Sequence, residues 1–487
     1  MAAHRVLIIV QNLPVPLDRR VWLECQALTA QGYQVSVICP KGPGDPPYQL
    51  LDGVAIYKYR PAPQARGVGG FALEFAWSWL LTALLSLRVW RQRGFDVIQA
   101  CNPPDTYWLL ARLWRVRGVK FVFDQHDLNP ELFVSRFGPP RSFAQRLQFR
   151  ALLWLERQTY RAADRVISTN GSYKAIAERR GKRDPKHVTV VRSGPDTTVM
   201  RPVYPDPSVR GDAEALLTYL GIMGPQDGVD NVLKVMDELL HRRGRKGVHA
   251  VLMGFGDCLE ELKQQCTRLG LDGHVRFTGR VGPDRIAQVL SSADIGLGPD
   301  EKTPLNDIST MNKTMEYMAY ALPSVSFDLV ETRVSAGDAG VLVRPGDLSA
   351  FADAIERLID DPAERVRLGL AARERVVAEL DWQPQARAYV GVFDELLGRV
   401  PDTDRLARWP HAAKPVATSP APDAPVPVDL DDEVEFARFI AERRASTARD
   451  TTRDTARETT RDTTRDTARE TTRDTAREMA RELVVED

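Results

Sequence analysis

Cysteine is scarce in this 487-residue sequence. The five residues, at 25, 39, 101, 258 and 266, form no C-x-x-C pair and no metal-ligand spacing. This excludes a cysteine-built metal site and a disulfide framework, and leaves reduced thiols. No Gly-x-x-x-x-Gly-Lys-Ser/Thr run occurs, which argues against a P-loop ATPase. The first apolar strand leads into QNLPVPLD rather than G-x-G-x-x-G, which argues against a dehydrogenase. Charge of one sign is also lacking. With 66 basic and 66 acidic side chains, bulk charge gives no reason to expect a nucleic-acid partner, and any anion site must be local. MAAHRVLIIVQN passes from a short apolar run into a polar loop, too brief for a secretory h-region, so a cytoplasmic protein is expected.

What is present is an alternation. RVLIIV (5–10), QVSVIC (34–39), VAIYKY (54–59), DVIQA (96–100), VKFVFD (119–124), RVIS (165–168) and VTVV (188–191) are mostly continuous apolar runs separated by helical patterns. Such runs suit a parallel sheet covered by helices on both faces. A second set follows Ala213: EALLTYLG, VHAVLMG, VRFTG, ADIGLG, PSVSF and GVLVR. SGPDTTVMRPVYPDPSVRGD, rich in Pro, Asp and Gly, joins the two sets as a hinge. The fold class is α/β, with two Rossmann-like doubly wound domains over 1–195 and 196–383, and the cleft between them is the default ligand site.

Residues 401–446 read as a Pro/Ala-rich linker unlikely to fold, apart from one short helix in DDEVEFARFIAERR. Asp429-Leu-Asp431 lies in this linker and is discounted as a metal motif. Within 447–487 a T-x-R-[DE] unit recurs nine times, varied only by Met479. With almost no apolar residues this tail cannot bury a core, and it reads as solvated and partly helical. FAWSWLLTALLSL (75–87) is uncharged but shorter than the ~20 residues that cross a bilayer. Glu74, Ser78, Thr82 and Ser86 leave one narrow polar stripe on it. A helix apolar nearly all round is either buried or touches lipid, so core packing and a peripheral membrane contact through residues 71–90 both stay open.

Chemistry concentrates in two places. In ADIGLGPDEKTPLNDISTMNKTMEYMAYAL a strand runs into a long polar loop, and a helix begins near Asn312. Its start offers the N–H groups of Asn312, Lys313 and Thr314 to an anion, and Lys313 adds a charge. Glu316, one turn inside, accepts hydrogen bonds only when ionised, which suits the vicinal diol of a ribose. Taken alone, its spacing from Lys313 favours a plain surface pair. YLGIMGPQDGVDN, LMGFGD and FTGRVG add glycine turns to the same domain, Gly221 and Gly224 among them. In the first domain, FVFDQHDLNPELF sets His126 and Asp127 at the carboxyl end of a strand, where a histidine can donate to a sugar hydroxyl or move a proton. Arg19 and Arg20 follow the first strand and suit an anionic substrate on that domain or simple solvation.

In this order the motifs resemble the retaining GT-B glycosyltransferases of glycosyltransferase family 4, over about residues 5–400 and most strongly from Tyr219 to Asp347. The resemblance implies a nucleotide-sugar donor on the second domain, an acceptor on the first, and metal-independent transfer without a cofactor. It also implies a last helix, within 384–400, that crosses back to the first domain. By position it implies that Glu316 binds the donor ribose and that Asn312, Lys313 and Thr314 meet the diphosphate. Arg280 and Val281 would lie beside the base, and His126 near the transferred sugar. Three departures stand out. The first glutamate of the E-x7-E motif is Ile308, with Asp307 one position early, and two basic residues expected after Leu220 are Ile222 and Asp227. Lys313, helped by Lys302, Arg333 or Arg280, would carry the missing charge.

The implied reaction moves a sugar from a nucleoside-diphosphate donor to a hydroxyl of a saccharide or lipid-linked acceptor. Its setting would be cell-envelope or polysaccharide assembly, at the inner face of the cell membrane. The departures keep two alternatives open: a non-catalytic sugar-nucleotide-binding subunit, and a sugar-nucleotide 2-epimerase of the same fold.

Overall fold

The computed structural model describes residues 4–62, 68–400, 425–430 and 432–445. The first sheet contains β1 (Arg5–Ile9), β2 (Gln34–Pro40), β3 (Tyr48–Leu51), β4 (Val54–Tyr59), β5 (Val97–Cys101), β6 (Lys120–Gln125), β7 (Arg165–Ser168) and β8 (Val188–Val190). Their order is β3-β4-β2-β1-β5-β6-β7-β8, and every pair is parallel except β3–β4. The second sheet contains β9 (Ala215–Ile222), β10 (Val248–Phe255), β11 (Val275–Gly279), β12 (Ile295–Gly298), β13 (Ser324–Phe327) and β14 (Val341–Val343). It is wholly parallel in the order β11-β10-β9-β12-β13-β14. The strand order reverses beside β1 in one sheet and beside β9 in the other. A doubly wound sheet opens its ligand crevice at such a point, beyond the strand carboxyl ends.

The helices of the first domain are α1 (Arg19–Ala30), α2 (Val68–Gln92), α3 (Trp108–Arg115), α4 (Asn129–Phe137), α5 (Phe143–Ala162) and α6 (Gly171–Arg179). Asp18 caps α1 by accepting from the Val21 N–H at 3.1 Å, which fixes where the loop after β1 ends. The helix Trp382–Leu397 follows the second domain in sequence yet packs into the first. Its Trp382, Tyr389 and Phe393 share a core with Val6, Ile8 and Val37, and Tyr33 donates to Asp394 at 2.6 Å.

Two features differ from the sequence reading. The strand β3 carried no apolar run, because it is a half-exposed edge. It pairs with β4 through Asp52-Gly53, whose φ angles of 46° and 82° make the two-residue turn that an Asp-Gly pair favours. In the segment read as linker, the short helix expected in DDEVEFARFIAERR is present as Glu433–Ala445, and the described residues 425–430 before it are docked rather than loose. Val203 bridges Pro427, the Val428 N–H donates to Pro202 O at 3.0 Å, and Val428, Phe439 and Ile440 are buried. Arg443, on the helix Glu433–Ala445, donates to the carbonyls of Leu290, Ser291, Tyr320 and Ala321. These carbonyls close the helices Pro283–Ser292 and Asn312–Ala319, so one guanidinium satisfies acceptors at two helix ends. The T-x-R-[DE] tail lies outside the described residues.

Candidate active site in the interdomain cleft

The mouth of the second domain lies between the ends of β9 and β12. Gly228, in the turn after β9, has φ +64°, and a Cβ there would sit 2.2 Å from Pro299 O. Only glycine lets that turn close against the loop after β12. Lys313 is buried at the tip of the helix Asn312–Ala319. Its Nζ lies 2.5 Å from Asp300 Oδ1 and 5.2 Å from the centre of the Tyr219 ring. Gly221 leaves room for it, since a Cβ there would stand 3.2 Å from Lys313 Cε. The Thr314 N–H closes a turn onto Met311 O at 3.0 Å, so the helix tip offers the N–H groups of Asn312 and Lys313 rather than three.

Asp227 stands where the resemblance expects a base. Its Oδ2 accepts from the Gly224 N–H at 2.9 Å. Burial pushes this carboxyl up to about 6; Lys313 opposes the rise, Asp300 adds to it, and Arg136 on α4 also opposes it. The buried lysine therefore works among acids. Arg280 lies over the exposed Phe255 ring at 5.2 Å, and Val281 is half-buried beside it. Two of the proposed helpers are engaged elsewhere. Lys302 pairs with Asp307 at 3.1 Å, and Arg333 pairs with Asp328. Asp307 also accepts from the Val330 N–H at 3.0 Å, which ties it to a helix start instead of a sugar. Ile308 packs with Leu305 against Leu128 and Tyr173 of the first domain. The missing glutamate thus sits at an apolar contact between domains.

On the first domain His126 and Asp127 follow β6. Asn102 Oδ1 accepts from both of their N–H groups, at 2.8 and 3.1 Å, and Asn102 Nδ2 donates to Asp127 O and Asp105 Oδ1. Asn102 was not among the sequence candidates. Its only signal was CNPPD at the carboxyl end of β5. The His126 ring turns inward: Nε2 is 2.8 Å from Asp124 Oδ2 and 3.1 Å from Arg20 Nε, and the tautomer decides which bond forms. Burial lowers the affinity of this ring for a proton, but the Asp124 charge more than reverses that, and the net shift is upward. Nδ1 is then the nitrogen left for a ligand. Burial raises the Asp127 carboxyl, with His126 and Arg136 opposing.

Arg20 does not face the acceptor side. It is buried, reaching Asp124 and Glu24 at 3.0 Å each and Val191 O at 2.9 Å. Glu24, Cys101, Asp124 and His126 bring donor atoms within 4.8 Å of one another, a possible metal set by composition alone. The Arg20 guanidinium bonds to three of the four, so a cation already occupies this cluster. Through Gln99 the network also reaches Tyr389, which donates at 2.5 Å from the crossing helix.

Across the cleft, Arg19 Nη1 lies 2.6 Å from Glu316 Oε1. Glu316 is thus held from the opposite domain and not by Lys313, which answers to Asp300. The rim closes alongside: Asn170 donates to Ile308 O and Thr310 Oγ1, Tyr173 meets Ser309, and Ser172 and Arg192 both bond to Glu331. The structure thus brings Arg19, Lys313, Glu316 and the turns of Gly221 and Gly224 to one cleft. A cavity of about 540 Å³ lined by Arg210, His249, His274 and Arg276 opens at the opposite ends of β10 and β11, away from this chemistry.

Residues 17–194 match the family model of the glycosyl transferase 4-like domain, and residues 214–361 match that of glycosyl transferases group 1. Among curated proteins, the chain is 27% identical over 208 residues to a glycogen synthase of Mycobacterium tuberculosis (strain ATCC 25618 / H37Rv), covering 42% of this chain and 48% of that protein. The chain spans about half the length of that relative. Among solved structures it is similar to sucrose-phosphate synthase from Thermosynechococcus elongatus, with TM-score 0.65 and 20% identity, covering 81% of this chain and 99% of the other. It is also similar to Anabaena HepE in complex with UDP-glucose, with TM-score 0.61 and 18% identity, covering 80% and 99%. At these identities the structural likeness concerns the fold, two facing α/β domains.

Proposed function

Because the chain belongs to the glycosyl transferases group 1, with GT-B architecture, we propose that it transfers a sugar from a nucleoside-diphosphate donor to a hydroxyl acceptor with retention. The donor binds at the mouth of the second domain and the acceptor at the face of the first. Glu316 takes the ribose hydroxyls, and Lys313 with the helix tip takes the diphosphate. Arg280 and Val281 flank the base. His126 holds the sugar through Nδ1, with its ring set by Asp124.

The acceptor oxygen forms a bond to the anomeric carbon as the bond from that carbon to the diphosphate oxygen breaks. The acceptor proton passes to the departing diphosphate on the same face. Charge developing on that leaving group is where fixed donors matter most. Arg136, on the first domain and felt by Asp227, is the cation placed to supplement Lys313, since Asp227 and Ile222 stand in the expected basic positions. The solved HepE complex holds UDP-glucose, which supports a sugar nucleotide as donor. A lipid-linked acceptor would place the step in polysaccharide assembly at the inner membrane face, with contact through residues 71–90.

The observation that carries this reading is the Arg19–Glu316 pair, since it sets the proposed ribose anchor in the same cleft as the acceptor domain. The test is release of nucleoside diphosphate from UDP-, GDP-, ADP- and TDP-sugars, with and without a panel of hydroxyl acceptors. Acceptor-dependent release supports transfer. Acceptor-free conversion of the donor points to the 2-epimerase. A non-catalytic subunit is the second reading, favoured by Lys313 being paired with Asp300 and by Ile308 packing as an apolar contact. Its mark is donor binding without turnover across that panel.

A further inference from the structure

The outer face of the first domain is inside out. On α2 the polar stripe faces inward: Ser78, Thr82 and Ser86 are 2%, 0% and 0% exposed. Ser86 Oγ accepts from Trp114 Nε1 at 3.1 Å, and Thr82 meets the Tyr107 hydroxyl at 3.4 Å. The apolar side is left in solvent, with Trp77, Leu80, Leu84 and Leu87 at 40–54% exposure. A helix packed on a core for stability alone would present the opposite face.

The two neighbouring helices continue this surface. Trp90 of α2 lies 4.9 Å from Trp114 of α3, and Trp108 of α3 lies 5.9 Å from Trp154 of α5. On α3, Leu109, Leu113 and Val116 just beyond its end are exposed; on α5, Phe143, Leu147 and Trp154 are. The charge among these side chains has one sign. From residue 76 of α2, and over α3 and α5, there are eight arginines, at 88, 91, 112, 115, 146, 150, 157 and 161. The single acid is Glu156, which is buried and paired with Arg180 at 2.6 Å. In a chain of equal basic and acidic count, this segregation is local. Among the described residues no helix is long and apolar enough to cross a membrane.

We propose that α2, α3 and α5 form a peripheral docking face for an anionic lipid surface, with the exposed leucines and tryptophans entering the acyl boundary and the arginines meeting the headgroups. Apolar area flanked by exposed arginines is complementary to such a surface, the arginines adding an attraction that a neutral one lacks. The proposal builds on the membrane contact of residues 71–90, extends it to two further helices, and names the lipid charge. It stands apart from the chemistry of the cleft.

The test is flotation of the full chain with vesicles of phosphatidylcholine, with and without phosphatidylglycerol, at low and high salt. Flotation is expected only with the anionic vesicles, and high salt weakens it. Arg150→Glu and Arg157→Glu are each expected to weaken it by about five-fold or more, from removal of the cation alone. Leu84→Glu with Leu113→Glu, both at exposed positions, is expected to weaken it by on the order of ten-fold with unchanged far-UV circular dichroism. Absence of flotation, or flotation that these variants leave intact, overturns the proposal. So does a dimer in light scattering that Leu113→Glu dissociates without any vesicle binding, which makes a second copy the occupant. Thermal shift by sugar nucleotides, measured on the same variants, reports on the cleft separately.

Discussion

Arg19, at the first turn of α1, and Glu316, one turn into the helix Asn312–Ala319, form an ion pair of 2.6 Å between two domains. The arginine is 41% exposed, so the pair contributes at most about 1 kcal/mol to stability. Its importance lies in position, because it engages the carboxylate proposed to take the ribose.

Removing the arginine therefore frees the anchor. Arg19→Ala is expected to change the melting temperature little and to tighten nucleoside monophosphate binding by up to about five-fold, because no ion pair need be broken. Calorimetric titration checks this. Weaker monophosphate binding contradicts the placement of Glu316 as the ribose anchor.

Asp227 is expected to make donor binding depend on pH. Burial lifts its folded-state value from 3.8 to about 6, so the folded protein holds a proton that the unfolded chain has lost between those values. Stability contributed by this group is present at low pH and is lost as pH rises through about 6. A diphosphate prefers the neutral form, so affinity is expected to rise as pH falls through the same region. Asp227→Asn is expected to bind the donor more tightly at neutral pH, on the order of ten-fold, and to flatten the dependence. Titrations across pH 5 to 8 report both effects.

The buried pair of Lys313 and Asp300 sets a trap for mutagenesis. Their side chains are 8% and 4% exposed, so Lys313→Ala strands a charge and is expected to cost about 3–5 kcal/mol in urea unfolding. Lys313→Met combined with Asp300→Asn is expected to recover most of that loss while leaving donor affinity low. Recovery of affinity by the double variant contradicts the diphosphate role of Lys313.

Arg443 tests the docked segment. Arg443→Met keeps much of the volume but leaves carbonyls at two helix ends without their donor, and is expected to destabilise the protein by about 1–3 kcal/mol. Urea denaturation of the variant measures it. No loss of stability contradicts the docking.

The parallel sheets were legible because strands buried on both faces read as unbroken apolar runs, from RVLII to VLV. β3 escaped because an edge strand needs no such run, although Asp52-Gly53 marked its turn. The docked segment escaped because its anchors are few: Val428, Phe439, Ile440 and Arg443 act only against a surface built elsewhere in the chain. At the site, spacing brought Lys313 and Glu316 into view but not their partners. Asp300 and Arg19 reach them through tertiary closure, 13 and 297 residues away in sequence. Arg20 looked like Arg19 in sequence, yet one faces the core and the other the cleft, a difference set by the register of α1 after its Asp18 cap.

The most direct test of the account is calorimetric titration of wild-type and Glu316→Gln protein with whichever of the UDP-, GDP-, ADP- and TDP-sugars raises the melting temperature. One base class is expected to do so, and the variant is expected to bind it at least about ten-fold more weakly, as loss of hydrogen bonds to a charged acceptor dictates. Stabilisation by none of the four, or equal affinity of the two proteins, contradicts the account.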